Sequence, residues 1–435
     1  MENYSFLAWL FAQYTGTIGV LHLLDELEES QWFQIDMIKR YQLEQVKKIL
    51  SYAQQNTLYY KKLFDAVGFD PTEFSDFEDL KQIPILTKSI IRERQEDLKP
   101  NRNDLSIYQT GGSTGVPLTF YCNDDFLYKE KAAINQFAYR QGGYKMGDRL
   151  GVVWGFEKEI PKRSWKQKII NNCVTRYIEL NSFNMSEEKM KSFLQMVYKK
   201  RVPYIKGYAN SLVELAKYSY KCGFEFNNIK AVFSEAEKLD DTKRSLIETA
   251  FNCKVFNYYG CREFSTIATE CSAHEGLHIN FQQLYVELMD DHRILITSFK
   301  NLGTPFIRYE IGDCADEIIQ TPCSCGRQSF RIKNVLGRIS DNFKTKDGRI
   351  IHGEYIAHLF YHTQAIKQFQ IIQKDYDKFD FNLCTDDRNG AEQELMLIKK
   401  EFTSKFPSPL HIDVNYVSNI PKTDSGKNRF TISLI

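Results

Sequence analysis

Between about residues 125 and 300, helical stretches alternate with short apolar runs, Leu150–Trp154, Ala231–Ser234 and Val255–Tyr259 among them. That alternation predicts an α/β fold with mostly parallel sheets, because parallel neighbours need a crossover connection and a helix supplies it. Arg293–Thr297 and Phe306–Tyr309 read as further strands. Upstream, Leu43, Val46, Ile49, Leu50 and Ala53 recur at helical spacing, so Glu26 to about Asp65 reads as helix. Pro84 and Leu86–Thr87 mark an entry into extended chain, and residues 106–122 read as strand, Gly-rich loop, strand. A boundary near Gly337–Asp341 predicts a large N-terminal α/β domain, residues 1–337, and a small mobile α+β lid, residues 338–435.

Composition excludes several function classes. Lys plus Arg number 57 against 56 Asp plus Glu, which gives no basic face for nucleic acid. With 31 Phe and 25 Tyr the chain can fill a large core. Trp154, Phe156 and Tyr208 suit either that core or the lining of an aryl pocket. Ten Cys in 435 residues do not form a secreted disulfide framework, so a reducing cytoplasm is expected. Asn3–Leu24 carries no formal charge, but its polar residues, two glycines and His22 suit an amphipathic helix on the main domain rather than a stable membrane span. The oligomeric state is left open, a dimer included.

Five segments carry chemistry. Thr110-Gly111-Gly112-Ser113-Thr114-Gly115-Val116-Pro117 can bring backbone N–H groups and hydroxyls close to an anion, yet no Walker GK[S/T] follows. In Tyr258-Tyr259-Gly260-Cys261-Arg262-Glu263, an aromatic at a strand end can stack on a purine and the carboxylate can hold Mg²⁺ beside phosphates. In Arg308-Tyr309-Glu310-Ile311-Gly312-Asp313, a carboxylate after a Gly turn can accept both ribose hydroxyls. Gly337-Arg338-Ile339-Ser340-Asp341 lies at the boundary, and Pro421–Arg429 contains Lys427 in a Ser-Gly turn. Read singly, each also suits an ordinary turn, strand end or surface charge.

In this order the five segments resemble the adenylate-forming superfamily of acyl-CoA synthetases, nonribosomal-peptide adenylation domains and luciferases. The compact length and the LYYKKLFDAVGFDP segment are similar to the phenylacetate–CoA ligase-like branch, and Phe343–Phe360 resembles proteins of capsular polysaccharide gene clusters. The resemblance covers nearly the whole chain. It implies AMP-forming activation of a carboxylic acid by ATP, then acyl transfer to CoA, a carrier protein or an amine. It further implies that Ser113, Thr114 and the loop glycines cradle the ATP phosphates. Ser234, Glu235, Ala236 and Glu237 would border adenine, with Tyr258, Tyr259 and Gly260 also binding the nucleotide and Tyr259 against the base. Glu263 would hold Mg²⁺, Asp313 the ribose, and Arg338 the nucleotide near the junction. Lys427 would bridge the α-phosphate and the attacking carboxylate.

Two departures stand out. Ser340 occupies the pivot position where the family has an acid, with Asp341 one residue on. A TKDGRIIHG run stands where CoA ligases of the branch carry an RGVNVFP-like one, which favours an acceptor other than CoA. Lys344, Lys346 and Arg349 within it offer cations for a CoA phosphate all the same. A different class of reading is a degenerate nucleotide-binding scaffold of a polysaccharide assembly; against it, Lys427, Glu263 and Asp313 are all present.

Cys271-x6-His278 and, 44 residues further on, Cys323-Ser324-Cys325-Gly326 offer four N/S ligands for tetrahedral Zn²⁺, with His274 as an alternative ligand. Unrelated buried thiols would give the same spacing. The resemblance implies a structural zinc at these four positions.

Overall fold

The computed structural model describes residues 18–110, 118–155, 175–338, 343–351, 356, 359–360, 363–421 and 430–435. The N-terminal helical pattern resolves into α1 (Ile18–Ser30), α2 (Ile35–Asn56) and α3 (Leu58–Val67). Thr57 makes the second break: its backbone is extended, and its hydroxyl accepts from the Tyr60 N–H to cap α3. Gly68, at φ 67°, closes that helix in the left-handed region. Of the segment expected as an amphipathic helix over Asn3–Leu24, the part from Ile18 is described; it buries Val20, Leu21 and Leu24 and runs on to Ser30. Among the described residues, no helix is long and apolar enough to cross a membrane.

β1 (Leu105–Gln109) and β2 (Thr119–Asn123) form the antiparallel arms of the Gly-rich loop, as expected. The alternating region builds β3 (Leu150–Trp154), β4 (Tyr177–Asn181), β5 (Tyr204–Tyr208), β6 (Ala231–Glu235) and β7 (Lys254–Cys261). These pair parallel in the order β4-β3-β5-β6-β7. Helices α6 (Glu187–Lys199), α7 (Ala209–Lys221) and α8 (Asp241–Phe251) cover one face, burying Val153, Ile205, Val232 and Val255. Helix α5 (Lys131–Arg140) covers the other, over Tyr204, Phe233 and Tyr258. Alternate side chains of a strand point to opposite faces, so one run of apolar residues serves both layers.

The expectation of mostly parallel sheets holds for this half alone. After β7 the chain folds straight back into β8 (Ser265–Glu270), and β9 (Leu277–Ile279), β14 (Arg331–Ile332) and β13 (Ile318–Ile319) extend the same nine-stranded sheet antiparallel. A tight turn needs no crossover, and the helical spacing that signals parallel pairing is absent beyond Cys261.

A second, antiparallel sheet runs β10 (Leu284–Leu288), β11 (Arg293–Ser298), β12 (Tyr309–Ala315) and β15 (Val335–Arg338). The strand expected at Phe306–Tyr309 begins only at Tyr309, because Arg308, at φ 49°, turns the chain out of extended geometry. Asp313 lies inside β12 rather than after a turn. The register with β11 slips between the Leu295–Glu310 and Arg293–Cys314 pairs, and Gly312 takes φ 91° in the resulting bulge. Residue 338 is still part of this sheet, opposite Asp313.

Residues 343–435 have a core of their own. Strands β16 (Ile366–Asp375), β17 (Lys378–Thr385), β18 (His411–Tyr416) and β19 (Thr431–Ser433) pack with α9 (Arg388–Thr403) around Phe343, Phe369, Phe379, Phe381 and Phe402. Each fully buried Phe contributes about 1.5–3 kcal/mol, enough to give this small unit a distinct core.

Candidate active site and metal centre

The carboxyl ends of the parallel strands, the β7–β8 turn and β12 converge. Tyr259 reaches across so that its hydroxyl donates to Asp313 Oδ2 at 2.9 Å. Burial raises the Tyr259 hydroxyl well above the usual tyrosine range, with the Asp313 charge adding to it, so the proton stays on the phenol. Asp313 Oδ1 lies 3.3 Å from Arg338 Nε, an ion pair made between paired residues of β12 and β15. One bulge away, the Tyr309 hydroxyl donates to Glu263 Oε1 at 3.0 Å. Both carboxylates are buried, Glu263 at 4% and Asp313 at 7% exposure, yet each retains acceptor capacity for a ligand.

Two lysines complete the cluster, and neither lies in the five segments singled out in the sequence. Leu86 zips onto β12 through the Leu86 N–H to Arg308 O at 3.1 Å and the Glu310 N–H to Leu86 O at 2.9 Å. Thr87 then caps α4 (Lys88–Glu93), which places Lys88 Nζ 3.0 Å from the Ile311 carbonyl. Burial and the neighbouring Arg338 lower the Lys88 pKa, while Glu263 and Asp313 oppose the shift. A lysine in the first turn of a helix works against the helix dipole, and that misplacement is the sequence signal that marks it. Lys131, on α5, lies over the Tyr108 ring at 4.2 Å and donates to the Arg262 carbonyl at 2.7 Å. Arg262 in turn donates to the Gln109 carbonyl at 3.1 Å. The turn carrying Glu263 is thereby tied to the Gly-rich hairpin.

Thr110 forms the neck of that hairpin. Its N–H reaches Leu118 O at 2.9 Å, and its hydroxyl accepts from the Leu118 N–H at 2.8 Å. Gly111, Gly112, Ser113, Thr114 and Gly115 lie outside the described residues, as do Ser340, Asp341, Phe156 and Lys427.

The segment expected to border adenine ends β6. Ser234 is buried, Ala236 has φ 65°, and Glu237 Oε2 accepts from the Asn210 N–H at 2.8 Å. Glu235 instead accepts from Tyr139 at 2.7 Å, toward α5. Tyr258, named with Tyr259 as nucleotide-binding, is not brought to the site. As its neighbour in a strand it faces the other layer, buried between Phe233 and Tyr139. Gly260 sits in a bulge where a Cβ would lie 2.3 Å from the Ser265 carbonyl, so only glycine fits.

Cys271, His278, Cys323 and Cys325 converge, with all four ligand atoms within 4.8 Å of one another. Cys271 and Cys323 sulfurs are 3.7 Å apart, and Cys325 Sγ is 3.5 Å from His278 Nε2. His278 Nδ1 is bonded to Ser329 Oγ at 2.8 Å, which leaves Nε2 as the nitrogen turned toward the sulfurs. Burial, with Arg327 and Arg331, pushes the His278 pKa down to about 3, so the ring is neutral. Three thiols and a neutral imidazole are a donor set that fits Zn²⁺. His274, the alternative ligand, is excluded from the cluster. It sits in the turn after β8 with Nδ1 3.1 Å from Glu270 and its ring against Phe256.

Residues 343–434 match the CapK C-terminal domain family. Over 404 residues the chain is 26% identical to Protein CapK of Staphylococcus aureus, covering 91% of this chain and 89% of that protein. It is 22% identical over 359 residues to the Phenylacetate-coenzyme A ligase of Thermus thermophilus, covering 78% of each. Among solved structures, 2-hydroxyisobutyryl-CoA ligase in the postadenylation state superposes with a TM-score of 0.72 at 17% identity, over 93% of this chain and 91% of that one. ATP-bound MatB from Rhodopseudomonas palustris shares the fold at a TM-score of 0.52 and 13% identity, over 74% and 66%.

Proposed function

This chain is a homologue of CapK and of the phenylacetate–CoA ligases, and from that premise we propose that it activates a carboxylic acid with ATP and passes the acyl group to a second acceptor. The observation that carries the reading is the interlocked set Tyr259–Asp313–Arg338 and Tyr309–Glu263, with Lys88 beside it. Two buried carboxylates and two cations at the carboxyl ends of parallel strands suit a nucleotide with its metal. Asp313 takes the ribose hydroxyls, and Tyr259, held by that same carboxylate, lies against the base. Glu263 holds Mg²⁺, which when bound neutralises phosphate charge. Lys88, with Ser113 and Thr114, would bind the phosphates. Residues 338–435 form the lid that delivers Lys427.

In the first half-reaction a carboxylate oxygen bonds to the α-phosphorus and the bond to pyrophosphate breaks. Lys427 offsets repulsion between the two anions as charge builds on phosphorus. In the second, the acceptor attacks the acyl carbonyl and AMP leaves with the bridging oxygen. Closure of the lid excludes water that would hydrolyse the mixed anhydride. Cys271, His278, Cys323 and Cys325 would hold zinc in a structural role.

For the acceptor, the run after residue 343 favours an amine or a carrier-protein thiol over CoA. Its cations are engaged within the unit: Lys346 pairs with Asp377 at 2.9 Å, Arg349 with Asp347 at 2.8 Å, and Lys344 donates to Ile435 O at 3.0 Å. Such exposed pairs are weak, but each satisfies a charge that a CoA phosphate would otherwise need. A role in surface polysaccharide synthesis is in keeping with the relative's name. An acid-dependent ATP–pyrophosphate exchange screen tests the activation step, and AMP release with and without CoA tests the acceptor. Exchange with at least one acid and CoA-independent release are expected. Absence of exchange with aryl, aliphatic and amino acids alike would overturn the reading.

A further inference from the structure

Strand order β4-β3-β5-β6-β7 reverses direction at β3 and β5: from β3 the chain goes outward to β4, and from β5 it goes the other way. The crevice outside the carboxyl ends of two such strands is where open α/β sheets bind ligands. Those ends are Trp154 and Tyr208, whose rings lie 4.3 Å apart at 42°. β5 pairs with β6 as far as Tyr208–Glu235, and β6 pairs with β7, so the crevice lies two strands from Tyr259 in the same sheet.

One layer inward the crevice holds charge. Lys206 of β5 lies between two aromatic rings, 4.9 Å from the Tyr139 centroid and 5.3 Å from that of Trp154. Lys206 Nζ donates to the Tyr139 hydroxyl at 2.6 Å, and that hydroxyl donates to Glu235 Oε1 at 2.7 Å. Lys206 and Glu235 themselves are 3.8 Å apart, with side chains 20% and 18% exposed. The Tyr258 hydroxyl, buried beside this chain of bonds, has no partner among the described residues.

The ammonium has three N–H groups, and one is used by Tyr139. A hydrocarbon acid seated in the crevice would strip water from the remaining donors and from Glu235 without replacing it. A second carboxylate on the acid would meet Glu235, and an ammonium would meet Lys206. A neutral hydroxyl, which accepts from Lys206 and donates to Glu235, complements both, while Trp154 and Tyr208 cover the apolar body between. We infer that the acid activated at this site carries a hydroxyl at the end distal to its reacting carboxylate, read by Lys206 and Glu235. This rests on the adenylation reading above.

The test measures pyrophosphate exchange with matched pairs: 4-hydroxyphenylacetate against phenylacetate, and 5-hydroxypentanoate against pentanoate. In the preferred pair the wild-type enzyme favours the hydroxylated acid by about 10-fold or more in kcat/KM, the low end of what one hydrogen bond to a charged group gives. Lys206→Met keeps the stem and removes the donors; the ratio falls below about threefold, mainly through a higher KM for the hydroxylated acid. Glu235→Gln keeps an acceptor for Tyr139 but removes the charge that repels anions, so exchange with 4-carboxyphenylacetate rises relative to the hydroxylated acid. That gain can be read even if the lysine variant is unstable. Exchange that favours the unhydroxylated acids, or a folded Lys206→Met with an unchanged ratio, overturns this inference and leaves adenylation standing. Exchange with none of the acids overturns both.

Discussion

The cluster around Glu263 and Asp313 and the cluster of Cys271, His278, Cys323 and Cys325 are both buried and polar, yet they are built on opposite plans. In the first, acids face bases and phenols, and the groups satisfy one another through named bonds: Tyr259 to Asp313, Tyr309 to Glu263, Arg338 to Asp313. In the second, four groups of like kind point at one spot, with sulfurs as close as 3.7 Å. The first can stay folded without its ligand and be ready for it, as a substrate site must. The second converges on one centre, the arrangement by which a cation is held. The outer contacts differ in the same way. Arg327 donates both to Cys325 Sγ, at 3.4 Å, and to Gln31 Oε1, at 2.6 Å, so the Cys/His cluster is fastened to the elbow between α1 and α2. The Glu263–Asp313 cluster is fastened to the Gly-rich hairpin through Lys131 and Arg262.

If the first cluster is catalytic and the second is not, their variants must separate activity from stability. The largest effect falls on Lys427→Ala, which is expected to lower the rate of pyrophosphate exchange by about 100-fold or more while ATP binding and Tm stay near wild type. Near-normal exchange by this variant would break the assignment of the lid lysine. Next comes the metal. Elemental analysis of protein purified without chelator is expected to find about one zinc per chain. Cys323→Ser should lower Tm by about 5 °C or more, with the surviving folded fraction exchanging at close to the wild-type rate. A protein with no zinc, or a serine variant that loses turnover at unchanged Tm, would erase the contrast. The smallest change is Tyr309→Phe, which removes one hydrogen bond to the buried Glu263. A loss of about tenfold in kcat/KM is expected, with a small fall in Tm, the low end of the about 1.5–3 kcal/mol that a bond to a charged acceptor contributes. An unaltered kcat/KM would mean that Tyr309 does not orient the carboxylate.

How much of this was legible in the sequence differs between the clusters. Tyr259, Glu263 and Asp313 lie in short segments with aromatic, glycine and acid at telling positions, and the fold brings them together. Their mutual bonds were not legible, because the Tyr259–Asp313 and Tyr309–Glu263 pairs link strands of different sheets. Lys88 was hidden for a related reason: its place depends on Leu86 zipping to β12 more than 200 positions away, a contact without a local pattern. Tyr258 was misassigned because adjacent residues in a strand face opposite layers, and nothing local says which face holds the site. Spacing likewise could not choose between His274 and His278. Register does: His278 lies on β9 opposite Arg331 of β14, on the sheet margin that leads to the CxC knuckle, whereas His274 turns toward Glu270. The change from parallel to antiparallel pairing after Cys261 was missed because one tight turn replaces a crossover.

Acid activation through an acyl adenylate is tested most directly by following an oxygen atom. The acid that supports exchange is supplied with ¹⁸O in its carboxylate, together with ATP, Mg²⁺ and acceptor, and the products are weighed by mass spectrometry. Attack of the carboxylate on the α-phosphorus predicts one ¹⁸O in each AMP released, with unlabelled pyrophosphate. Label in inorganic phosphate beside ADP, or AMP without label, would contradict it.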